Sequence, residues 1–112
     1  MLTEKDYCDY ETCVALKELG YPLTSKEVRY EDKAVFVPGV LLYSAQKWLR
    51  EEKKLVILVG FDFCPITSEI AYNWVIVMNG NTAKKSSYTY DYFEEALSEG
   101  VKCAIKLLKE SL

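Results

Sequence analysis

The chain has 112 residues, of which half are hydrophobic and 28% are charged, and its formal net charge is −3. A chain of this length forms about one domain and buries about two-thirds of the surface that its unfolded form exposes. The composition argues against a disordered or membrane-spanning protein, and the net negative charge gives no overall field that would attract phosphate groups.

The start of the chain and its cysteines both indicate a cytosolic protein. The sequence "MLTEKDYCDY" carries acids where a signal peptide has a basic end followed by an apolar run. The four cysteines, Cys8, Cys13, Cys64 and Cys103, form no CxxC pair, and the chain has no histidine. We therefore expect reduced thiols, and no metal site, disulfide framework or cofactor.

The first third of the chain predicts a helix and then a hairpin. A helix from about Asp6 to Leu19 is expected, because Gly20 supplies a C-terminal stop and a proline follows. Tyr10 and Val14 lie opposite its main apolar side. In "EVRYEDKAVFV" the pattern changes to alternation, with a tight turn at Asp32-Lys33, which predicts two paired strands.

The stretch "SAQKWLREEKK" predicts a second helix of about three turns with Ser44 as its N-cap. Ala45, Trp48 and Leu49 share one face of this helix. A helix this short is not stable alone, so it needs a tertiary anchor. We expect a buried Trp48 indole to be that anchor.

Two strong strands are predicted next. "KLVILVGFDF" is nearly continuously apolar, which indicates a central strand that is buried on both faces at its start. After the loop "CPITSE", "IAYNWVIVM" forms the next strand and ends at Asn79-Gly80, where a tight turn needs positive φ. The polar stretch "TAKKSSYTY" is either a short edge strand or a loop.

The last helix is predicted from about Tyr92 to Ser111, with Asp91 as N-cap and Glu94 at the third helical position. Gly100 falls within its apolar side, which indicates a close approach of another element. The apolar side comprises Phe93, Ala96, Leu97, Val101, Ala104, Leu107 and Leu108.

These elements give the order α-β-β-α-β-β-α and predict a single α+β domain over residues 1–112. Its sheet is expected to be mainly antiparallel, with about four strands and with helices packed on it. The strands that follow Lys54 and precede Asn79 are expected to be central.

The sequence presents no catalytic constellation. Asp62 in "GFDF" is the best carboxylate candidate, but a single alternating polar residue indicates the solvent face of an antiparallel strand. Cys8 lies near a helix start among acids that oppose a thiolate. No glycine-rich phosphate loop is present. We therefore predict no catalytic residues and no enzyme.

One stretch has the residue types of a nucleic-acid surface. If "KKSSYTYDY" is extended, its tyrosines line one face beside two lysines, as in stacking platforms for single strands. The alternative, which we favour, is that the tyrosines cover the margin of the core, since nearby acids repel phosphates. This candidate patch consists of Lys84, Lys85, Tyr88, Tyr90 and Tyr92.

Three segments, "YETCVALKELGY", "YSAQKWLREEKKLVILV" and "YDYFEEALSEGVKCAIKLL", resemble a family of small uncharacterised proteins encoded by gut Bacteroidales bacteria and by their phages and mobile elements. The resemblance covers most of the chain and is weakest between Pro22 and Val40 and from Cys64 to Ser68. It implies a cytosolic accessory protein and no particular site.

The leading hypothesis is a non-enzymatic protein-interaction factor of a phage or mobile element, with a protein partner and with a homodimer through a sheet edge as one form of assembly. A weak single-stranded nucleic-acid binder that uses Lys84 to Tyr92 is the first alternative. The second is a small enzyme with a carboxylate or cysteine centre. No membrane contact is expected.

Overall fold

The structure is a computed structural model that describes residues 4–22, 28–31 and 35–111, with side chains described for 5–22 and 39–111. It shows a single α+β domain, as predicted. Within the described residues, no helix has the length and apolar character needed to cross a membrane. A 3-10 turn at Glu4–Asp6 precedes α1 (Tyr10–Glu18), β1 (Val28–Glu31), β2 (Val35–Pro38), α2 (Leu42–Lys53), β3 (Leu55–Cys64), β4 (Glu69–Met78), β5 (Asn81–Lys85) and α3 (Phe93–Glu110).

The strands form two sheets, which corrects the expectation of one sheet of about four strands. β1 and β2 make an antiparallel hairpin of their own, as the alternation predicted, and its expected turn at Asp32-Lys33 lies outside the described residues. β3, β4 and β5 form a separate antiparallel sheet in that order. β4 is therefore central, whereas the expectation that β3 is also central was wrong.

The start of β3 is fully buried on one face only, so the expectation that it is buried on both faces at its start was wrong: Val56, on the second face, is partly buried. Leu55 and Ile57 are buried, while Leu58, on the other face of the strand, is 53% exposed. Among the described elements, the helices α2 and α3 contact β3, and they lie on the side of Leu55 and Ile57. The continuous apolar run in the sequence of β3 therefore contains large exposed side chains as well as buried ones.

α1 begins four residues later than predicted, because Asp9 is its N-cap. The Asp9 carboxylate accepts a hydrogen bond from the backbone N–H of Thr12 at 2.8 Å. Immediately before it, the N–H of Cys8 donates to the carbonyl of Val40 at 2.8 Å, so this segment is extended rather than helical. The outer side chain of Tyr10 is 63% exposed.

α2 begins at Leu42, two residues before the predicted cap. Leu41 is the N-cap and has no side-chain capping bond, and its carbonyl accepts from the N–H of Ala45 at 3.0 Å. Ser44 therefore lies inside the helix. The side-chain amide of Gln46 donates to the carbonyl of Ile57 at 2.8 Å. This bond holds α2 against the start of β3.

The turn between β4 and β5 has the predicted geometry, with φ of 53° at Asn79 and 79° at Gly80. The stretch that follows is an edge strand as far as Lys85, after which the chain bends at Ser87 and Tyr88. The sequence left open whether this stretch is a strand or a loop. The structure shows a strand up to Lys85 and an irregular segment after it.

α3 packs its apolar side on β3 and β4, and Gly100 lies at the closest point. A Cβ atom at Gly100 would lie 2.8 Å from Cγ2 of Ile57 and 3.4 Å from Cβ of Trp74. The close approach predicted at Gly100 is thus confirmed. The helix begins at Phe93 with Tyr92 as N-cap and no side-chain capping bond, so the prediction that Asp91 caps it was wrong.

Trp48 is partly buried and packs against the core, as an anchor for α2 should. Its ring meets the buried Tyr21 ring edge-on, with centroids 5.4 Å apart. The ammonium of Lys53 lies 5.4 Å from the centroid of the indole. The tryptophan therefore links α2 to the segment that follows α1.

We expect Gly100→Ala to lower the free energy of unfolding by about 1–3 kcal/mol, because the added methyl group overpacks the contact with Ile57. Helix propensity alone predicts a gain of about 1 kcal/mol, so the sign of the change tests the packing. The control is Glu95→Ala on the exposed side of α3, which should stay within about 0.5 kcal/mol in urea unfolding.

We expect Trp48→Ala to cost about 3 kcal/mol, at the low end for emptying an aromatic site, because the ring is only partly buried. Tyr10→Ala removes an aromatic ring that is 63% exposed, and should cost no more than about 0.5 kcal/mol. Equal urea midpoints for the Trp48 variant and the parent would show that the indole does not anchor the helix.

Candidate functional site

The end of the β3–β4 hairpin carries the main apolar surface of the described chain. We call residues 58–70 the distal hairpin. Both strands continue in register out to the pair Cys64 and Glu69, and every residue from Phe61 to Ile70 is exposed. The exposed apolar side chains here are Leu58 (53%), Phe61 (64%), Phe63 (54%), Ile66 (92%) and Ile70 (47%).

Three of these side chains, Phe61, Phe63 and Ile70, continue the core face of the sheet, whereas Leu58 lies on the other face. Phe61 is paired with Tyr72 and Phe63 with Ile70, and these positions alternate with the buried Ile57 on the same face. The ring of Phe93 at the start of α3 meets Tyr72 edge-on at 6.0 Å. Beyond that contact, within the described chain, no helix covers the strip.

The register also shows which backbone groups β3 leaves open. The N–H of Tyr72 donates to Tyr90, and Trp74 exchanges hydrogen bonds with Ser86, so both residues direct their backbone groups away from β3. Backbone groups alternate between the two edges of a strand. The backbone groups of β3 that point to its other edge, which has no strand neighbour among the described residues, are therefore those of Val59, Phe61 and Phe63.

A second surface is a groove of about 350 Å³ between β5 and α3, which we call the lysine groove. Trp74 and Tyr90 lie at its base, where the indole N–H donates to the Tyr90 hydroxyl at 3.4 Å. The Tyr88 ring, 76% exposed, lies at its rim. The charged residues that line it are Lys84, Lys85, Lys102, Lys106 and Glu99.

The structure divides the candidate patch of Lys84, Lys85, Tyr88, Tyr90 and Tyr92. The first four residues line the lysine groove, but the chain bends between them, so the three rings do not share one face. Tyr90 is partly buried against the core, in line with the interpretation that the sequence favoured. Tyr92 lies apart, with the Lys5 ammonium 3.3 Å from its ring centroid.

Sequence reasoning missed the α3 side of this groove. Lys106 lies four positions after Lys102 and three after Cys103, so it shares one side of the helix with both. They lie about 20 residues beyond Lys84, and only the packing of α3 beside β5 brings them together. The helical spacing of the two lysines was the one signal in the sequence.

A neighbouring acidic cavity of about 340 Å³ is lined by Asp9, Glu94, Glu95 and Glu99, together with Lys5 and Lys102. Lys102 connects it with the lysine groove and forms ion pairs with Asp9 at 3.1 Å and with Glu99 at 3.6 Å. Burial alone would raise the pKa of Asp9, but hydrogen bonds from Thr12 and Lys102 hold it below its ordinary value. The acids of the cavity thus meet a cation, and Asp9 is held as a carboxylate.

All four cysteines are free thiols in three different settings. The pKa of the Cys8 thiol is raised, first by a hydrogen bond with Cys13 and second by burial. Burial also raises the pKa of Cys103, although the positive charges of Lys84 and Lys106 act to lower it. Cys64 is exposed at the hairpin turn, and hydrogen bonds from Thr67 and the backbone of Ile66 lower its pKa.

Asp62 lies on the exposed face of β3, as expected for an alternating polar residue, and accepts a hydrogen bond from the Asn73 amide at 3.4 Å. No second acid or cysteine lines the pocket that contains Asp62. Among the described residues, no three acid or cysteine side chains converge in a way that could hold a metal ion.

Comparison with protein-family models, with curated proteins and with solved structures found no match to this chain. The resemblance to Bacteroidales phage and mobile-element proteins stays a prediction. The function proposed below is argued from the geometry of the distal hairpin.

We expect Cys64 to be the first cysteine to react with a disulfide reagent at neutral pH, because it is exposed and has a lowered pKa. One fast thiol should be seen, and Cys64→Ser should remove that phase. Cys8 and Cys13 should react only on unfolding, since both are about 1% exposed. A fast phase that survives in Cys64→Ser would contradict this assignment.

Proposed function

We propose that this chain is a non-enzymatic interaction protein, and that the distal hairpin is its binding surface. The observation that carries the proposal is the open edge of β3, which lies beside exposed Phe61 and Phe63. An uncovered strand edge with an apolar flank is a template for pairing with another strand. The Bacteroidales resemblance supports a cytosolic, accessory role for a phage or mobile element.

The occupant that this edge fits is a second copy of the same chain. Exposed edges are normally blunted by charges, prolines or bulges. Between Leu55 and Cys64 the single charge is Asp62, and its side chain lies on the opposite face from Phe61 and Phe63. An uncharged apolar edge pairs with itself about a two-fold axis, which requires only a self-complementary surface.

The register of such a pairing follows from three constraints. Outward-pointing residues must oppose each other, which allows an axis at Gly60, Phe61 or Asp62. An axis at Gly60 would bring Phe63 of the partner subunit opposite Ile57, whose carbonyl already accepts from Gln46. An axis at Asp62 would place two carboxylates directly opposite, which is destabilising. The axis therefore passes through Phe61.

With the axis at Phe61, Val59 of each copy opposes Phe63 of the other. These residues all point their backbone groups outward, so the pairing forms about six inter-chain hydrogen bonds. Cross-strand contacts between aromatic and β-branched side chains stabilise a sheet. The two three-stranded sheets become one sheet of six strands, with the apolar strips of both copies side by side.

We expect the protein to sediment as a concentration-dependent dimer at micromolar concentrations, and Phe61→Lys to weaken the dimer at least about tenfold, because two like charges then oppose each other at the axis. The matched control is Ile66→Lys, which adds the same charge at a hairpin position that is 92% exposed and outside the pairing. A parent that stays monomeric at all concentrations would refute the assembly.

A disulfide tests the register. In a Cys64→Ser background, Phe61→Cys should form a covalent dimer on mild oxidation, since directly opposite Cα atoms lie about 5.5 Å apart. Phe63→Cys should not, because the two copies of that residue are separated by about four positions, or about 13 Å. Equal cross-linking by both variants would contradict an axis at Phe61.

A further inference from the structure

The lysine groove lies apart from the distal hairpin, and it is positively charged although the chain as a whole is negatively charged. The chain has a net charge of −3, yet four lysines and one glutamate line this groove. Glu99 is already paired with Lys102 at 3.6 Å. Within the described residues, Lys84, Lys85 and Lys106 form no ion pair. Lys85 is paired with Val75, so its side chain starts on the face of the sheet away from α3, and Lys84 and Lys106 are the cations available to an anion inside the groove.

These two cations come from opposite walls of the groove. Lys84 is paired with Ile76, on the face of the sheet that carries α3, and Lys106 lies on α3 itself. Both are close enough to Cys103 for their charges to act on its thiol. Opposed cations of this kind attract a chain of phosphates that runs between the walls.

The aromatic residues of the groove have two different roles. The Trp74 indole is buried, and its N–H donates to the hydroxyl of the partly buried Tyr90, so this pair forms a fixed base. Tyr88 sits at the rim and is 76% exposed, which leaves its ring face open. An open ring beside free lysines is the arrangement on which a nucleobase stacks while its phosphates meet the cations.

We propose that the lysine groove binds single-stranded nucleic acid, with a base stacked on Tyr88 and the flanking phosphates on Lys84 and Lys106. The groove volume of about 350 Å³ is near the lower limit for ligand sites, which suits one base and its neighbouring phosphates. A paired base in a duplex is already stacked, so it cannot reach Tyr88 without opening. An acidic peptide supplies charge but no base.

The test is fluorescence anisotropy of a labelled oligothymidylate of twelve nucleotides with the full chain, over a range of salt concentrations. We expect binding that weakens with salt, with a slope of about −1.4 in log affinity against log salt for two phosphate contacts. The duplex of the same length and a poly-glutamate peptide should compete at least about tenfold less well. Equal competition by either would overturn the assignment to single strands.

Three sets of variants separate this site from general charge attraction. Tyr88→Ala should weaken binding about tenfold, while Tyr88→Phe, which keeps a ring, should stay within about twofold. Lys84→Gln with Lys106→Gln should weaken binding at least about tenfold and reduce the salt slope by about 1.4. Lys17→Gln with Lys47→Gln removes the same charge from exposed positions outside the groove and should leave affinity within about twofold.

Circular dichroism of each variant should match the parent, because the substituted side chains are exposed. Absence of salt-dependent binding by the parent chain, or an equal loss in the Lys17 and Lys47 control, would overturn the proposal. Neither result bears on the dimer, since Phe61 lies on the distal hairpin and the groove lies between β5 and α3.

Discussion

The contact between α3 and the β3–β4 face is the constraint on which the rest of the structure depends. Gly100 brings the helix backbone onto Ile57 and Trp74, and a methyl group in its place would lie 2.8 Å from the isoleucine. This contact sets how close α3 lies to the sheet. It also sets which part of the sheet the helix covers. The helix starts at Phe93 beside Tyr72 and runs from there toward the start of β3 and the end of β4.

The distal hairpin follows from that placement. Two ten-residue strands are paired along their whole length, but the helical layer ends near Tyr72. Ile57, Phe61 and Phe63 share one face of β3. The helices bury Ile57 on that face and leave Phe61 and Phe63 exposed, four and six residues further along the strand. α2 closes the start of the β3 edge through Gln46 and leaves the remainder open. A strand edge flanked by large apolar side chains is what the proposed homodimer would cover.

The charge distribution has the same origin. α3 carries lysines on the side that meets β5 and acids on the side that meets the start of α1, so one helix lines both the lysine groove and the acidic cavity. Lys102 lies between the two and ties α3 to the Asp9 cap of α1. The net charge of −3 averages over these surfaces and conceals the groove. The proposed dimer contact at the hairpin and the proposed nucleic-acid site at the groove thus lie on separate faces.

The sequence by itself determined the α+β class, the three α-helices and four of the five described strands in order, the β4–β5 turn, and the close approach at Gly100, because each rests on local periodicity or on one residue's backbone. Helix starts were less well determined: α1 begins after the Asp9 cap rather than at Asp6, and Leu41 and Tyr92, which make no side-chain capping bond, take the N-cap positions expected for Ser44 and Asp91. Two lysines and two tyrosines of the groove could be read from one local stretch. Only the tertiary structure decided that β3 is an edge, that its apolar run is half exposed, and that Lys102 and Lys106 face Lys84. These features depend on which element lies beside which, and that is settled by packing between segments far apart in the chain.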